Sequence, residues 1–242
     1  MGLKESGLRG SLRNVSVGID AIPDSGTNQW PHDDDASQNT LTDSIGNTDG
    51  QINGPIYEAG KGVSGLHLAY DGVDDHTLFT DGAQFDEDSF DWFLWVRPDE
   101  TTDADRIIDY HSTEFTVTVR TNSNDGLQAQ IDNGDGGSNV SIEEDNVLTV
   151  GEWSFVAFVA DNGNEAQLYH ADPTDSSPSL VVSQNYDNGL ARTIDEVALG
   201  AANSGGGSFY EGGMSITSYN AGGVRPESER NEWFDDTKSL FE

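Results

Sequence analysis

Residues 65–79 read GLHLAYDGVDDHTLF. An apolar run is followed by Asp-Gly, an acidic pair and a second apolar run. Asp71-Gly72 suits a tight turn after GLHLAY, with Gly72 supplying a positive φ. Asp74 and Asp75 then precede the next strand, where a short carboxylate accepts hydrogen bonds from backbone N–H groups that the turn exposes. The same carboxylates, Asp71, Asp74 and Asp75, are also a candidate calcium site. Calcium takes about 6–8 oxygen ligands, and three neighbouring acids supply part of such a set. Both readings stand at this point.

Outward from this stretch the pattern repeats. Short apolar runs alternate with Asp-Gly and Asn-Gly punctuation, and Gly occurs 28 times. Predicted strands cover 65–70, 89–98, 106–111, 114–121, 126–131, 152–160, 165–170, 179–184, 196–201 and 213–219. In EFTVTVRT (114–121), Phe115, Val117 and Val119 alternate with Thr116, Thr118 and Arg120, the mark of a half-buried strand. By contrast, DWFLWV and WSFVAFV are apolar on both faces, which predicts central strands covered by a second sheet or a loop. One segment reads as helix. In VRPESERNEWF, Pro226 suits the first helical turn, with Glu227 and Glu229 near the positive end of the dipole. The fold class is therefore all-β: a two-sheet antiparallel sandwich with one short C-terminal helix.

Charge narrows the setting. Asp and Glu number 44 against 11 Lys and Arg, for a net −33, and Lys4, Lys61 and Lys238 are the only lysines. An acidic, lysine-poor chain with an ordinary β-rich core reads as a protein built for molar salt, where the Debye length is about 3 Å and carboxylate repulsion is screened. Nucleic acid is excluded as a partner because this surface repels phosphates. No run approaches the ~18 apolar residues of a membrane span. The opening MGLKESGLRGSLRNVSVGI has no apolar core of a secretory signal. It is also close to neutral, carrying Lys4, Arg9 and Arg13 against Glu5 and Asp20 through residue 20. Residues 1–26 therefore read as a docking arm, and 27–242 as the folded domain. In the arm Leu8, Leu12, Val15, Val17 and Ile19 are too few for a core, and Val15, Val17 and Ile19 alternate as a strand that seeks a partner edge.

Several segments together carry a family resemblance. LAYDGVDDHTLF resembles the L-x-F-D-G-x-D-D-Y-V signature of laminin G-like domains in the concanavalin A-like lectin/glucanase superfamily. FDWFLWVRP is similar to its F-T-x-x-x-W-V-x-P strand, and LTVGEWSFVAFVAD to L-x-x-G-x-W-x-x-V-A-x-x-x-D. The closing segment from Glu196 to Glu229 and the opening WPHDDDASQNTLTDSIGNTDGQINGPIY fit the same family in order. The fold implied is a β-jelly roll. Calcium-binding relatives often place an acid in the last strand, where this chain has Ser215, a departure that weakens the calcium reading. The arm, MGLKESGLRGSLRNVSVGI followed by AIPDS, resembles the start of structural proteins from haloarchaeal tailed viruses.

Catalytic signatures are missing from the sequence. Laminarinase-type relatives use E-x-D-x-E on one strand, and retaining hydrolysis needs two carboxyl groups about 5–5.5 Å apart. No E-x-D-x-E occurs, and Asp195 and Glu196 are adjacent, hence on opposite strand faces. The candidate ligand-binding residues are Tyr110, His111, His170, Tyr186 and Tyr210, polar or aromatic groups at strand ends and loops. Each reads equally well as core packed beneath a loop. The leading expectation is a non-enzymatic virion surface or tail protein, homo-oligomeric and bound to other virion subunits through its arm, whose jelly roll contacts host glycans or neighbouring subunits. A secreted or cell-surface lectin is the alternative, and a glucanase-type hydrolase the minor one.

Overall fold

The computed structural model describes residues 26–242 except 33–38, 103–104, 112–115, 133–139, 188, 190–192 and 203–205. Two eight-stranded sheets face each other, and every strand pairing between named strands is antiparallel. The back sheet is built on β7 (Phe90–Pro98), between β12 (Ser154–Ala160) and β16 (Glu211–Ala221). Beyond β12 lie β13 (Asn164–Ala171) and the edge strand β14 (Ser179–Tyr186); beyond β16 lie β5 (Leu66–Asp71) and β4 (Ile56–Ala59). β1 (Asn28–Trp30) pairs with the last residues of β16. The front sheet runs β11 (Val140–Glu144), β10 (Gly126–Asp132), β9 (Thr116–Asn122), β8 (Arg106–His111), β15 (Glu196–Leu199), β6 (His76–Phe79), β3 (Gly50–Asn53), β2 (Thr40–Leu41). This is the predicted jelly-roll sandwich.

The two-faced apolar strands have a specific explanation. Side chains alternate along a strand, so Trp92, Leu94 and Val96 enter the core between the sheets while Phe93 and Trp95 point away from it. In the inter-sheet core the rings of Trp30, Phe85 and Trp92 form a triangle, with centroids 5.8 Å apart from Trp92 to each of the others and 6.5 Å between Trp30 and Phe85. The other face of the back sheet is covered by α1 (Glu227–Lys238), not by a loop. Trp233 and Phe234 of the helix, with Phe241 after it, pack on Phe93, Trp95 and Phe155. Trp95 Nε1 donates to Thr237 Oγ1 at 2.9 Å, and that hydroxyl donates in turn to the Trp233 carbonyl at 2.8 Å. Pro226 sits one residue outside the helix, at its N-cap.

Buried polar groups hold the connections. Asp91 on β7 is fully buried and accepts from the Arg225 backbone N–H at 2.6 Å and from Arg225 Nε at 2.7 Å, fixing the segment that leads into α1. In DSIGNTDG (43–50), Asp43 accepts from the N–H groups of Gln29, Ile45, Gly46 and Thr48 and from Asn28 Nδ2, closing the loop that follows β2 onto β1. His32, with φ 56, is buried between Met214 O and Thr217 Oγ1, both 3.1 Å away. A carbonyl only accepts, so Nδ1 carries the proton and Nε2 accepts from the threonine. Burial lowers the His32 pKa to about 3, against the opposing pull of the Met214 carbonyl. No helix among the described residues is long and apolar enough to cross a membrane.

Candidate functional site

The acidic turn lies between β5 and β6. Asp71 Oδ1 accepts from the N–H groups of Val73 at 2.9 Å and Asp74 at 3.4 Å, and Asp75 Oδ2 accepts from the Asp71 N–H at 2.9 Å. Gly72 has the positive φ, 73°, that the turn requires. Gly54, at φ 95°, packs so closely beneath Asp75 that a Cβ there would lie 2.0 Å from its Oδ1. Burial, opposed by the hydrogen bond from Asp71, pushes the Asp75 carboxyl above its usual range. One oxygen from each of Asp71, Asp74 and Asp75 lies within 4.8 Å of the others, so the three could share a cation. Asp71 and Asp75 thus already brace the backbone, whereas the sequence reading assigned that role to Asp74 and Asp75.

The five candidate ligand residues do not converge. Tyr110, Tyr186 and Tyr210 are core residues, so none offers a ring face to a ligand. Their rings fill the sandwich, and each hydroxyl is used internally. Trp92 Nε1 donates to Tyr110 Oη at 2.7 Å, while Tyr186 donates to Asp88 O at 3.1 Å and Tyr210 to Gly213 O at 3.4 Å. His111 is half-buried at the end of β8, opposite Glu196. His170 lies on the other sheet, with Nε2 3.6 Å from Asp172 Oδ1, and burial lowers its pKa. The arm residues Leu8, Leu12, Val15, Val17 and Ile19 lie outside the described residues, as do Asp33, Asp34 and Asp35.

A polar cleft stands elsewhere, where β13 and β14 meet the turn after β12. Its volume is about 530 Å³, and its lining includes Asp161, Asn164, Glu165, Gln167, Asn185 and Asp187. Glu165, Gln167 and Tyr169 alternate along β13 and so share the outer face of the back sheet. Asn185 stands directly opposite Glu165 on β14. These side chains are held in place. Gln167 Nε2 donates to Glu165 Oε2 at 3.0 Å and Tyr169 Oη donates to Gln167 Oε1 at 3.0 Å, which fixes the orientation of the amide. Asn164 Nδ2 donates to Asp161 Oδ2 at 2.8 Å. Beneath them the guanidinium of Arg230, from α1, stacks on the Tyr169 ring at 3.6 Å, tying the cleft to the helix. Carboxylates and carboxamides set at fixed spacing in a cleft this wide can hydrogen-bond several hydroxyl groups of one ligand. Sequence reasoning missed the cleft, although the alternation in NEAQLYH (164–170) was visible.

The fold is a two-sheet jelly roll with a polar cleft at β13 and β14. The sequence model of the concanavalin A-like lectin/glucanases superfamily (Laminin_G_3) matches residues 71–216. The chain belongs to that superfamily. Solved structures share the fold at low identity. Domain 4 of the GH43 arabinanase AbnA from Geobacillus stearothermophilus, in complex with arabinotriose, superposes with a TM-score of 0.62 at 16% identity, covering 89% of this chain and 98% of that one. The receptor-binding domain of botulinum neurotoxin mosaic serotype C/D gives 0.64 at 10%, covering 90% of this chain, which spans 51% of that domain. The CBM40 module of the Ruminococcus gnavus IT-sialidase gives 0.51 at 11%, covering 64% and 84%. No curated protein is matched by this sequence.

Proposed function

We propose that the protein is a non-catalytic glycan-contacting domain, displayed on the particle of a virus of halophilic hosts and held there by residues 1–26. The observation that carries the glycan reading is the β13–β14 cleft. Its volume of about 530 Å³ suits a short saccharide, and its side chains pair with hydroxyl groups. On the strand that lines it, the one-face sequence is Glu165, Gln167, Tyr169. Where an E-x-D-x-E beginning at Glu165 would need an Asp and a second Glu, this face has Gln167 and Tyr169, and a carboxamide neither gives nor takes a proton at neutral pH. This favours binding over hydrolysis. The arabinotriose complex of a domain with the same fold supports a saccharide as the ligand class.

The display reading rests on charge and on where the arm begins. A near-neutral segment precedes a body that carries the whole −33. The chain enters the fold at Gly26, beside Tyr219 and Ser218 at the end of β16. From β1 to β14 is five strand steps at ~4.8 Å, about 24 Å, so an arm anchored in a particle leaves the cleft clear. Binding to immobilised oligosaccharides in molar KCl tests the glycan reading. Gln167→Ala should weaken capture at least ~10-fold with no sugar released by the wild type. Turnover that disappears in Glu165→Gln would make the protein a hydrolase, and failure to capture any saccharide would leave assembly alone as its role.

A further inference from the structure

The outer surface of the front sheet carries a charge arrangement that folding does not need. Arg106 on β8 stands directly opposite Arg120 on β9. The row continues through Gln128 on β10 to Glu143 on β11. Like charges placed opposite each other across a strand pair are destabilising. The acid that does approach the pair, Asp109, stands on β8 itself, 3.7 Å from Arg106 Nε, and not across from either arginine.

The neighbours satisfy the pair only in part. Arg106 Nε lies 3.7 Å from Asp109 Oδ1, beyond hydrogen-bond range, and both its Nε and Nη1 are buried without an acceptor. Arg120 gives its Nε to the neutral Gln128 carbonyl oxygen, whose amide nitrogen holds Glu143 Oε2 at 3.2 Å. On the same face, two residues before Arg120, Thr118 is fully buried and its Oγ1 has no hydrogen-bond partner. Arg106 keeps 17% of its side chain exposed and Arg120 is half-buried, so both residues keep some contact with solvent, although Arg106 Nε and Nη1 do not.

We propose that Arg106 and Arg120 form a subsite for one anionic group, a carboxylate or a sulfate ester, on an acidic saccharide lying across the front sheet. Two guanidinium groups side by side offer planar, forked donors that match either group. Gln128 and Gln130 flank the pair on the same face and supply hydroxyl partners for the sugar ring. A nucleic acid or an acidic protein presents many charges to a surface of −33 and is repelled. A single anionic group meets mainly the local pair, because screening falls to about 3 Å in ~1 M salt. The subsite is on the opposite sheet from the β13–β14 cleft and stands or falls independently of it.

The full chain, with its arginine Nε–H groups labelled for NMR, tests this in molar KCl against trigalacturonate, glucose 6-sulfate and cellotriose. At least one of the two acidic sugars should shift the Arg106 and Arg120 signals, and which of them does so separates carboxylate from sulfate ester; cellotriose should leave both signals in place. Arg106→Gln and Arg120→Gln should each weaken binding roughly tenfold or more. Arg106→Lys and Arg120→Lys, which keep the charge and lose the fork, should fall between while preserving the near-UV circular dichroism. Binding of cellotriose as tight as that of the acidic sugars, affinity unchanged in the four variants, no binding of either acidic sugar, or tighter binding of an acidic peptide or single-stranded DNA would each overturn the subsite.

Discussion

Asp91→Ala is the sharpest single perturbation of this fold. The carboxylate is fully buried on β7, and Arg225 is buried over the Phe93 ring with its Cζ 3.6 Å from the centroid. Arg225 brings its backbone N–H, its Nε at 2.7 Å and its Nη2 at 2.5 Å to Asp91, and spends Nη1 on Ser218 Oγ at 2.7 Å. Burial pushes the Asp91 carboxyl upward while the guanidinium pulls it back, so the two groups have to be buried together. Removing the carboxylate strands a buried cation with unfilled donors, a loss of about 3–5 kcal/mol. At about 2–4 °C per kcal/mol for a domain of this size, Tm should fall by about 6–20 °C. Urea unfolding in molar KCl gives the free energy directly. Because the pair anchors the segment entering α1, the helix amides should also exchange faster in the variant. Asp91→Leu combined with Arg225→Met should be far less damaging than the single changes imply, since an apolar pair replaces a costly ionic one. A loss under about 1 kcal/mol for Asp91→Ala, or strict additivity in the double variant, would refute the reasoning.

Dialysis from molar KCl to about 50 mM should collapse the near-UV circular dichroism, because repulsion among carboxylates in a chain of −33 returns as the Debye length grows; a native spectrum at low salt would remove the argument for a halophilic setting. Wild-type melting should be the same with calcium and with chelator at constant ionic strength; a calcium-dependent rise that Asp74→Ala abolishes would make the acidic turn a metal site. For His32, with its folded pKa near 3 and an unfolded value near 6.5, the folded chain stays neutral while the unfolded chain takes up a proton as pH falls below 6.5. Stability should therefore drop by about 1 kcal/mol from this group between pH 6.5 and 5.5, the slope approaching about 1.4 kcal/mol per pH unit below that, and His32→Gln should flatten the slope measured by urea unfolding over this range. Deleting residues 1–26 should leave a soluble, folded jelly roll that no longer joins its assembly; normal incorporation, or failure to fold, would rule out a docking arm.

The sequence was most legible where local pattern and tertiary burial coincide. GLQAQI appears as β10 almost to the residue, because its alternation is created by the core it enters, and RIIDYH appears as β8 on its apolar content, with a bulge that buries Ile107 beside Ile108. β4 was missed since it is an exposed edge: Ile56 points outward at 61% exposure, and nothing in IYEA alternates. β3 was absent from the strands read by alternation and entered only through the family resemblance, as the strand after DSIGNTDG; its first residue, Gly50, has no side chain to show the pattern, and a Cβ there would press within 2.8 Å of the Phe79 ring. The candidate tyrosines failed for another reason. Position at the end of a strand does not say which face a ring takes, and Tyr110, Tyr186 and Tyr210 all turn inward. The cleft needed β14 placed beside β13, and the opposed arginines needed the register of β8 on β9, neither of which a single strand reveals.

The acidic turn with which the sequence reading began belongs to a wider pattern. Four buried acids, Asp43, Asp75, Asp91 and Asp105, each accept at least one backbone N–H: Asp43 from its own loop and β1, Asp75 from Asp71, Asp91 from Arg225, Asp105 from Thr102. A carboxylate that receives such bonds is stabilised without a metal, because the N–H dipoles supply positive potential at hydrogen-bond distance. The chain thus uses Asp in two ways. Many acids are surface charge whose effect is screened by salt, while these few fasten turns and segment ends that an apolar core cannot reach. That division explains why a chain with 44 acids builds an ordinary aromatic core, and why the density of Asp in a turn such as DGVDD is weak evidence for a cation. Calcium would have to compete for oxygens that already brace the backbone at two of the three carboxylates, Asp71 and Asp75.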